Sequence, residues 1–237
     1  MHSNRLRHLL VAMLAVFALG AVTSASALAA ETHAEWLFNG AKLGVGVKKT
    51  VTKAEGGPYK LEATGLPTVE CGKQKIEGTE NFIEGISLSK TKLVFSECKI
   101  PGSPKCTVPN IKTSELHNVI IHFDSVWIII YFPWPSTKEK SKFTGEEFAT
   151  IKIEGAECAV ANTLKVTGSV VVEPSANKLK EEVASRTLTS TTKTIETENP
   201  STKVVEKAGE LKLGTKEAKL TGVSTVEVES GKKWGAE

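Results

Sequence analysis

The sequence predicts an all-β protein, an antiparallel β-sandwich of the jelly-roll or Ig-like kind, preceded by a helical signal peptide that is cleaved on export. Short runs rich in Val, Ile and Thr recur between Gly, Pro and Asn residues, at the intervals of about 8–12 residues that are typical of sandwiches. No amphipathic helical pattern separates these runs, as parallel βαβ architecture would require. Four cysteines follow the export signal, which favours a disulfide-bonded extracellular domain.

The N-terminal residues 1–29 have the three-part layout of a secretory signal peptide. Arg5 and Arg7 form a basic start, residues 9–22 are apolar, and small residues lead to Ala29. The apolar run of about 14 residues is shorter than the roughly 20 that a membrane-spanning helix needs, although an uncleaved anchor is the alternative interpretation. We therefore expect cleavage after Ala29, a secreted protein, and no transmembrane span in the mature chain.

Cleavage also changes the charge balance of the protein. The signal peptide contains two Arg and no acidic residue, so 28 of the 30 basic side chains remain against 27 acidic ones, a net charge of +1. Arg186 is then the only Arg, and Lys and Glu are interspersed along the chain. Proteins that read nucleic acids depend on the forked hydrogen bonds of Arg, so we expect no nucleic-acid partner.

The mature chain of 208 residues, 237 less 29, suits one large domain or two small ones. We place a disulfide-bonded β-sandwich at residues 30–175 and a Thr/Lys-rich β extension at residues 176–237. The extension is prone to form strands but is poor in large apolar side chains, as in residues 187–195. Because it has too few large apolar side chains to build its own core, we expect its strands to continue the same sheets. A small separate β module is the alternative.

Residues 119–135 are the most apolar stretch of the mature chain. The stretch is rich in β-branched residues, contains His122 and Asp124 and ends in prolines, which favours strands over a membrane span. A turn at residues 123–125 would pair residues 113–122 with residues 126–132 in a hairpin. Since both faces are apolar, we expect at least one strand to be covered on both sides. An exposed partner-binding patch and a membrane span are the alternatives.

The cysteines of the mature chain are Cys71, Cys98, Cys106 and Cys158. Their even number in an exported chain predicts two disulfides. No pair has the spacing of about two to four residues found in zinc sites, so we expect no metal. Three connectivities are possible. We favour a local bridge from Cys98 to Cys106, which flank a turn-rich loop. The remaining pair would then be a long-range bridge from Cys71 to Cys158.

Residues with the pattern of a catalytic site are absent from the sequence. Asp124 is the only Asp, which excludes aspartic dyads, Asp-rich calcium loops and Ser-His-Asp triads that use any other Asp. Glu is plentiful and stands mostly beside Lys, so nothing selects two carboxylates as a hydrolytic pair. No nucleophile elbow or glycine-rich phosphate loop occurs. We expect no enzyme activity, no catalytic residue and no cofactor.

Aromatic side chains near the end of the apolar stretch are candidate ligand contacts. Trp127 and Tyr131 share one face of a strand by its period of two, and we expect them to be core residues. Trp134 stands between two prolines, and we expect it to be exposed. Exposed aromatic rings bind sugars and apolar partner surfaces. Trp134 is therefore the first candidate for a ligand contact, followed by Tyr131 and Trp127.

Several short sequence features occur in a characteristic order along residues 31–175, and this order bears on the expected fold. The features are a Trp-x-x-x-Gly element at Trp36, Cys71, a strand ending in Phe95-x-x-Cys98, Cys106, a hairpin opening at residues 111–113, Cys158 and Val-Thr-Gly-Ser-Val at residues 166–170. This order resembles that of secreted, β-rich, four-cysteine actinobacterial proteins, a group that is uncharacterised in function. The resemblance implies the two-disulfide, all-β fold and supplies no activity or site residue.

Together these observations predict a secreted, non-catalytic β-sandwich protein of the cell surface or extracellular matrix, or a binding module. Its partner would be an extracellular protein or a polysaccharide. One alternative is a carbohydrate-binding module that uses aromatic residues near Trp134. Another is a secreted hydrolase, or an inhibitor of one.

Overall fold

Short β-strands make up nearly all of the regular structure after the N-terminal segment. The computed structural model describes residues 34–44, 46–78, 82–84, 88–134, 142–160, 162–175, 179–199 and 204–237. This part of the chain contains twenty strands and one 3₁₀ turn, Glu229–Gly231, and every strand pair in it is antiparallel. The all-β, antiparallel prediction is confirmed. The predicted signal peptide lies outside the described residues.

The strands form three sheets, of three, fifteen and two strands. In chain order the strands are β1 Trp36–Phe38, β2 Ala41–Lys42, β3 Lys48–Gly56, β4 Tyr59–Ala63, β5 Val69–Ile76, β6 Phe82–Glu84, β7 Leu88–Thr91, β8 Leu93–Lys99, β9 Ile111–Lys112, β10 Leu116–Phe123, β11 Val126–Pro133, β12 Glu147–Ile153, β13 Asn162–Gly168, β14 Val170–Pro174, β15 Ser185–Thr191, β16 Ile195–Glu198, β17 Val205–Ala208, β18 Leu211–Leu213, β19 Lys216–Val228 and β20 Trp234–Ala236.

The strands of the large sheet continue one another in eight longer strands, which we call composite strands A to H. The sheet that they form closes on itself. In order they are β3 with β4, β5 with β6, β7 with β8, β9 with β10, β11 with β12, β13 with β14, β15 with β18, and β19 alone. Each composite strand pairs with the next, and H pairs with A where β19 meets β3 and β4. Between D and E, the β10–β11 ladder is continued by the isolated bridges Thr107↔Glu154 and Thr113↔Ala149.

This strand order differs from the jelly-roll or Ig-like order that we expected. In those folds, long connections place strands that are distant in the chain beside one another. Here each composite strand lies beside its chain neighbours. The physical reason is that most connections between successive composite strands are short, and short connections favour adjacent antiparallel pairing.

The predicted hairpin in the apolar stretch is confirmed. β10 pairs with β11 along its whole length, from Leu116↔Pro133 to Phe123↔Val126. Asp124 and Ser125 form the turn with positive φ angles of 47° and 65°, the conformation that suits a two-residue hairpin loop. The hairpin contributes side chains to two separate apolar clusters, one on each face, so its strands are covered on both sides as predicted.

The outward face of the hairpin is buried beneath a separate layer, and we call this second core the outer cluster. Its fully buried members are Val119, Ile121, Ile128, Ile130, Phe132, Phe143, Val171, Ile195 and Ala208. Ile195 and Ala208 belong to the two-stranded ribbon β16–β17, which leaves the large sheet between β15 and β18. The Phe143 amide donates a hydrogen bond to the Glu206 carboxylate of the ribbon, at 2.9 Å.

The three-stranded sheet β2–β1–β20 lies where composite strand A begins and H ends. Trp36 of β1 and Trp234 of β20 are both almost fully buried and belong to the inner core. Their ring centroids are 5.7 Å apart, and both indoles reach the interior beside Val51 and Val228. This sheet therefore covers one end of the closed sheet.

Two disulfides are present, as predicted, but the pairing that we favoured is wrong. Cys71 is bonded to Cys98, and Cys106 is bonded to Cys158. The first pair lies directly opposite on β5 and β8, with Cα atoms 3.9 Å apart, a proximity that strand register creates and residue spacing does not reveal. The loops closed span 27 and 52 residues, so each bond is worth about 3–4 kcal/mol in the chain-entropy treatment.

The strands after residue 176 pair with strands of the preceding region. β15 pairs with β14, β18 pairs with β13, and β19 pairs with both β3 and β4. The Thr-rich run thus forms part of the wall of the closed sheet. Among the residues that the structure describes, no helix is long and apolar enough to cross a membrane.

Candidate functional site

A layer of polar side chains crosses the middle of the otherwise apolar interior. Alternation along each strand sends every second side chain inward, and most inward residues are aliphatic or aromatic. At mid-height the inward positions are polar instead. The polar layer consists of Tyr59, Gln74, Asn118, Tyr131, Ser190 and Ser224, which come from six of the composite strands.

Gln74 is the centre of one half of this layer. It is 3% exposed and accepts a hydrogen bond of 3.5 Å from the Tyr59 hydroxyl. Its amide nitrogen donates to the Ala54 carbonyl at 3.3 Å. Ser224 also hydrogen-bonds Tyr59. Burial raises the pKa of Tyr59, and the Ser224 hydrogen bond opposes that rise.

Asn118 and Tyr131 form the other half, on the hairpin. A side-chain hydrogen bond joins them. Burial raises the pKa of Tyr131 well above its ordinary value; the nearby Tyr59 raises it further, while Asn118 opposes the shift. Both tyrosines therefore stay neutral at physiological pH. The layer offers hydroxyl and amide groups that can donate or accept hydrogen bonds, and none of these groups carries a charge.

A cavity of about 70 Å³ lies against this layer. It is bounded by the polar side chains, by apolar residues such as Ile129, and by the indoles of Trp36 and Trp234. Three buried atoms of its lining residues have no hydrogen-bond partner in the protein: the Asn118 Oδ1 and the Nε1 atoms of the two tryptophans. Buried polar atoms are nearly always paired in native proteins, and these two donors and one acceptor, on residues that line the cavity, are exceptions.

The tryptophan end of the cavity is held in place by Arg186. Its guanidinium lies 5.3 Å from the centroid of the Trp234 ring and donates to the Trp234 carbonyl at 3.4 Å and to the Glu181 carbonyl. A cation over an aromatic face is attracted by the ring quadrupole. These contacts fix the Trp234 indole beside the cavity.

The structure separates the three aromatic residues predicted to contact a ligand. Tyr131 points inward and lines the cavity, and Trp127 belongs to the inner core. Trp134 points outward, is half-buried against the outer cluster, and stacks on His117 with ring centroids 4.2 Å apart. The expectation that Trp127 and Tyr131 are core residues agrees with this placement. Trp134 is less exposed than expected, because His117 and the outer cluster cover part of it.

The polar layer itself was missed by the sequence analysis. One signal was present: Asn118 stands at an inward position between Leu116 and Ile120, where the period of two predicts an apolar residue. Tyr59, Gln74 and Ser224 give no comparable signal. Tyr59 and Gln74 meet through the pairing of β4 with β5, and Ser224 of β19 reaches Tyr59 only when the sheet closes.

A groove opens in the wall of the closed sheet where composite strand G is interrupted between β15 and β18. We call it the wall groove; its volume is about 670 Å³. Its hydroxyl-bearing lining residues are Thr64, Thr68, Ser169, Thr191, Thr192 and Thr194, and its charged ones are Glu62, Glu210, Glu217, Lys212 and Lys219. Val170 and Leu220 line both the wall groove and the interior cavity.

No protein family, no curated protein and no solved structure matches this chain. Among the residues bounding the cavity, those with a titratable side chain are Tyr59, Lys90 and Tyr131. Lys90 pairs at 2.9 Å with Glu115, and the two tyrosines have raised pKa values. This arrangement suits uncharged hydrogen bonding to a small molecule.

Proposed function

We propose that this chain is a secreted, non-catalytic binding protein of the cell surface or extracellular matrix, which holds a small ligand inside its closed sheet. The observation that carries the proposal is the set of unpartnered buried atoms around the cavity, Asn118 Oδ1 and the two indole N–H groups. A closed sheet of eight strands has an interior just wide enough to be filled by side chains or to hold one small ligand. Leaving such atoms unpaired costs about 1–3 kcal/mol each, a cost that a ligand would relieve.

We also propose that the closed sheet is flattened into two opposed layers, as in a β-sandwich. Tyr59 on composite strand A and Tyr131 on composite strand E lie halfway round the closed sheet from each other, and both line the same cavity of about 70 Å³. This closeness supports two opposed layers with a thin core between them. Two disulfides are compatible with the extracellular location that residues 1–29 predict.

The ligand that fits this cavity is small and largely neutral. A volume of about 70 Å³ accommodates roughly three non-hydrogen atoms, judged by the size of cavities that hold benzene. Two indole donors call for acceptor oxygens on the ligand, and Asn118 Oδ1 calls for a donor. An alcohol, an amide or a short acyl group satisfies these requirements.

The four indole N–H signals in a ¹⁵N–¹H correlation spectrum provide the test. Each can be assigned with one Trp→Phe variant, since the protein has four Trp. On titration with methanol, ethanol and acetamide, we expect the Trp36 and Trp234 signals to shift saturably. The Trp134 signal, from the outward face, is the internal control. If none of the three probes moves the Trp36 and Trp234 signals, and the cavity exchanges water only, the proposal is wrong.

A matched pair of variants tests the role of the polar layer. Asn118→Leu removes the unpartnered acceptor with little change in volume, and we expect it to weaken probe binding at least about tenfold, the loss that corresponds to one buried hydrogen bond of about 1.4 kcal/mol. Asn110→Leu, at an exposed loop position, should leave binding unchanged. Equal binding by both variants would contradict the assignment of Asn118.

The alternative functions remain predictions with their own tests. A glycan array probed with the wild type and with Trp134→Ala tests carbohydrate binding through Trp134, and sugar binding that the substitution leaves unchanged excludes that site. An activity screen of the purified protein against polysaccharide and peptide substrates tests the hydrolase, and a screen against secreted hydrolases tests the inhibitor.

A further inference from the structure

We infer that the wall groove binds the hydrophilic part of an amphiphilic ligand whose small end enters the interior cavity. The inference rests on the proposed function, because it takes the cavity to be a ligand site. The size of the cavity is the first reason. Since the interior accommodates roughly three non-hydrogen atoms, any larger ligand must extend out of it, and the wall groove is the adjoining space.

The wall of the closed sheet is open at the level of the polar layer. On the β19 edge, pairing with β15 reaches Gly222, and pairing with β18 resumes at Ala218. Composite strand G thus leaves about three residues of this edge uncovered, a gap of roughly 10 Å at 3.3 Å per residue. In this interval the chain turns away to form the ribbon β16–β17. The interruption of the strand is therefore also an opening in the wall.

Leu220 stands at this opening. It lines the wall groove and the interior cavity, and it also lines a second internal space of about 40 Å³ beside Leu61 and Phe95. Ala218 and Leu220 occupy inward positions of β19 and pack in the inner core. Leu220 thus lies between the groove and the interior cavity, and the small end of the ligand would enter beside it.

The lining of the wall groove selects a class of ligand group. Six hydroxyl side chains face it, and three Glu are nearly balanced by two Lys. None of the described residues that line it is aromatic, so a sugar would be held by hydrogen bonds at its hydroxyl groups and not by stacking. The excess of Glu disfavours an anionic group. A neutral group rich in hydroxyls or amides fits this surface best.

Three probes separate the groove from the cavity. Ethanol represents the small end alone, glucose the hydrophilic part alone, and ethyl β-D-glucoside the two joined. We expect the glucoside to shift the indole signals of Trp36 and Trp234 together with the backbone amide signals of residues 219–221. We also expect it to bind at least about tenfold more tightly than either part, as linked fragments do.

The outcomes distinguish this inference from the proposed function. If ethanol shifts the indole signals but the glucoside binds no better, the interior site stands and the groove assignment fails. If no probe moves the indole signals, the proposed function fails and the inference fails with it. These comparisons use the wild-type protein and do not depend on whether any variant folds.

A pair of variants on β19 tests the route. Leu220→Phe adds bulk at the opening, and we expect it to abolish the indole shifts caused by the glucoside while the amide shifts caused by glucose remain. Val223→Phe adds the same ring at an exposed position of the same strand and should bind all probes like the wild type. Undiminished indole shifts in a folded Leu220→Phe protein would show that the ligand enters elsewhere.

Discussion

The two faces of the β10–β11 hairpin are equally buried but differ in chemistry. The outward face packs Val119, Ile121, Ile128, Ile130 and Phe132 in one cluster with the ribbon and Phe143. The inward face places Asn118 and Tyr131 among the aliphatic residues and borders a cavity. Burying polar groups costs free energy unless all of them are paired. The outer cluster therefore adds to stability, whereas the unpaired groups of the inner layer lower it, a cost that the ligand of the proposed function would offset.

Substitutions of the neighbouring residues Ile129 and Ile130 should have the largest effects, and they test whether the two faces of the hairpin differ. Ile129 points inward and Ile130 outward, and both are almost fully buried. Substituting either by Ala should lower the free energy of unfolding by about 2–5 kcal/mol, measured by urea denaturation. Ile129 lines the interior cavity and Ile130 does not, so butanol should raise the melting temperature of Ile129→Ala and not that of Ile130→Ala. Equal responses to butanol would contradict a difference in function between the two faces.

Gly222→Ala should disturb the inner layer without removing any polar group. A Cβ atom at this position would lie 2.2 Å from the Tyr59 ring, so the ring must move. We expect a loss of about 1–3 kcal/mol, typical of overpacking, together with loss of the indole shifts. Thr221→Ala, at the adjacent exposed position, is the control and should have little effect in either assay. A Gly222→Ala protein with wild-type stability would show that Tyr59 is free to move.

Tyr131→Phe tests the raised pKa of the inner layer. It should cost about 1–2 kcal/mol at neutral pH, because the Asn118 partner is lost. In the wild type, both the folded and the unfolded state hold the phenol proton below pH about 10. Above that pH only the unfolded state loses it, since the pKa of Tyr131 is raised by folding, and stability falls as the pH rises further.

The measurement for this prediction is direct, because Tyr59 and Tyr131 are the only two tyrosines. Tyrosinate absorbance of the folded protein should lag behind that of the urea-unfolded protein as the pH passes about 10. Urea denaturation at pH 8 and at higher pH should show a smaller alkaline loss of stability in Tyr131→Phe than in the wild type. Coincident titration of the folded and unfolded chains would refute the burial of both hydroxyls.

The smallest effect is expected on the outward face, at the ring pair of His117 and Trp134. A stacked aromatic pair contributes about 0.5–1.5 kcal/mol beyond its buried area. A double-mutant cycle with His117→Ala and Trp134→Ala should return a coupling energy in this range and leave the indole shifts of Trp36 and Trp234 unchanged. A loss of probe binding in either single variant would show that the two faces are coupled.

The local patterns of the sequence were sufficient for the strands and not for the site. The hairpin could be predicted because alternation, β-branched residues and the Asp124-Ser125 turn act within a few residues of one another. The disulfides were predicted in number but not in pairing, because the register of β5 against β8 decides which cysteines meet. Asn118 was a detectable exception to the apolar pattern, whereas its neighbours across the interior could not be detected.

Composition and short-range periodicity were enough to predict the class of secondary structure, the presence of two disulfides and the hairpin buried on both faces. Closure of the sheet, in which β19 pairs with β3 and β4, became visible only in the three-dimensional arrangement of the strands. Closure brings Ser224 of β19 to Tyr59, and so to the polar layer, from a distant part of the chain. It also makes the interruption of composite strand G an opening in a wall. Strand pairing of this kind depends on long-range register, which no local pattern encodes.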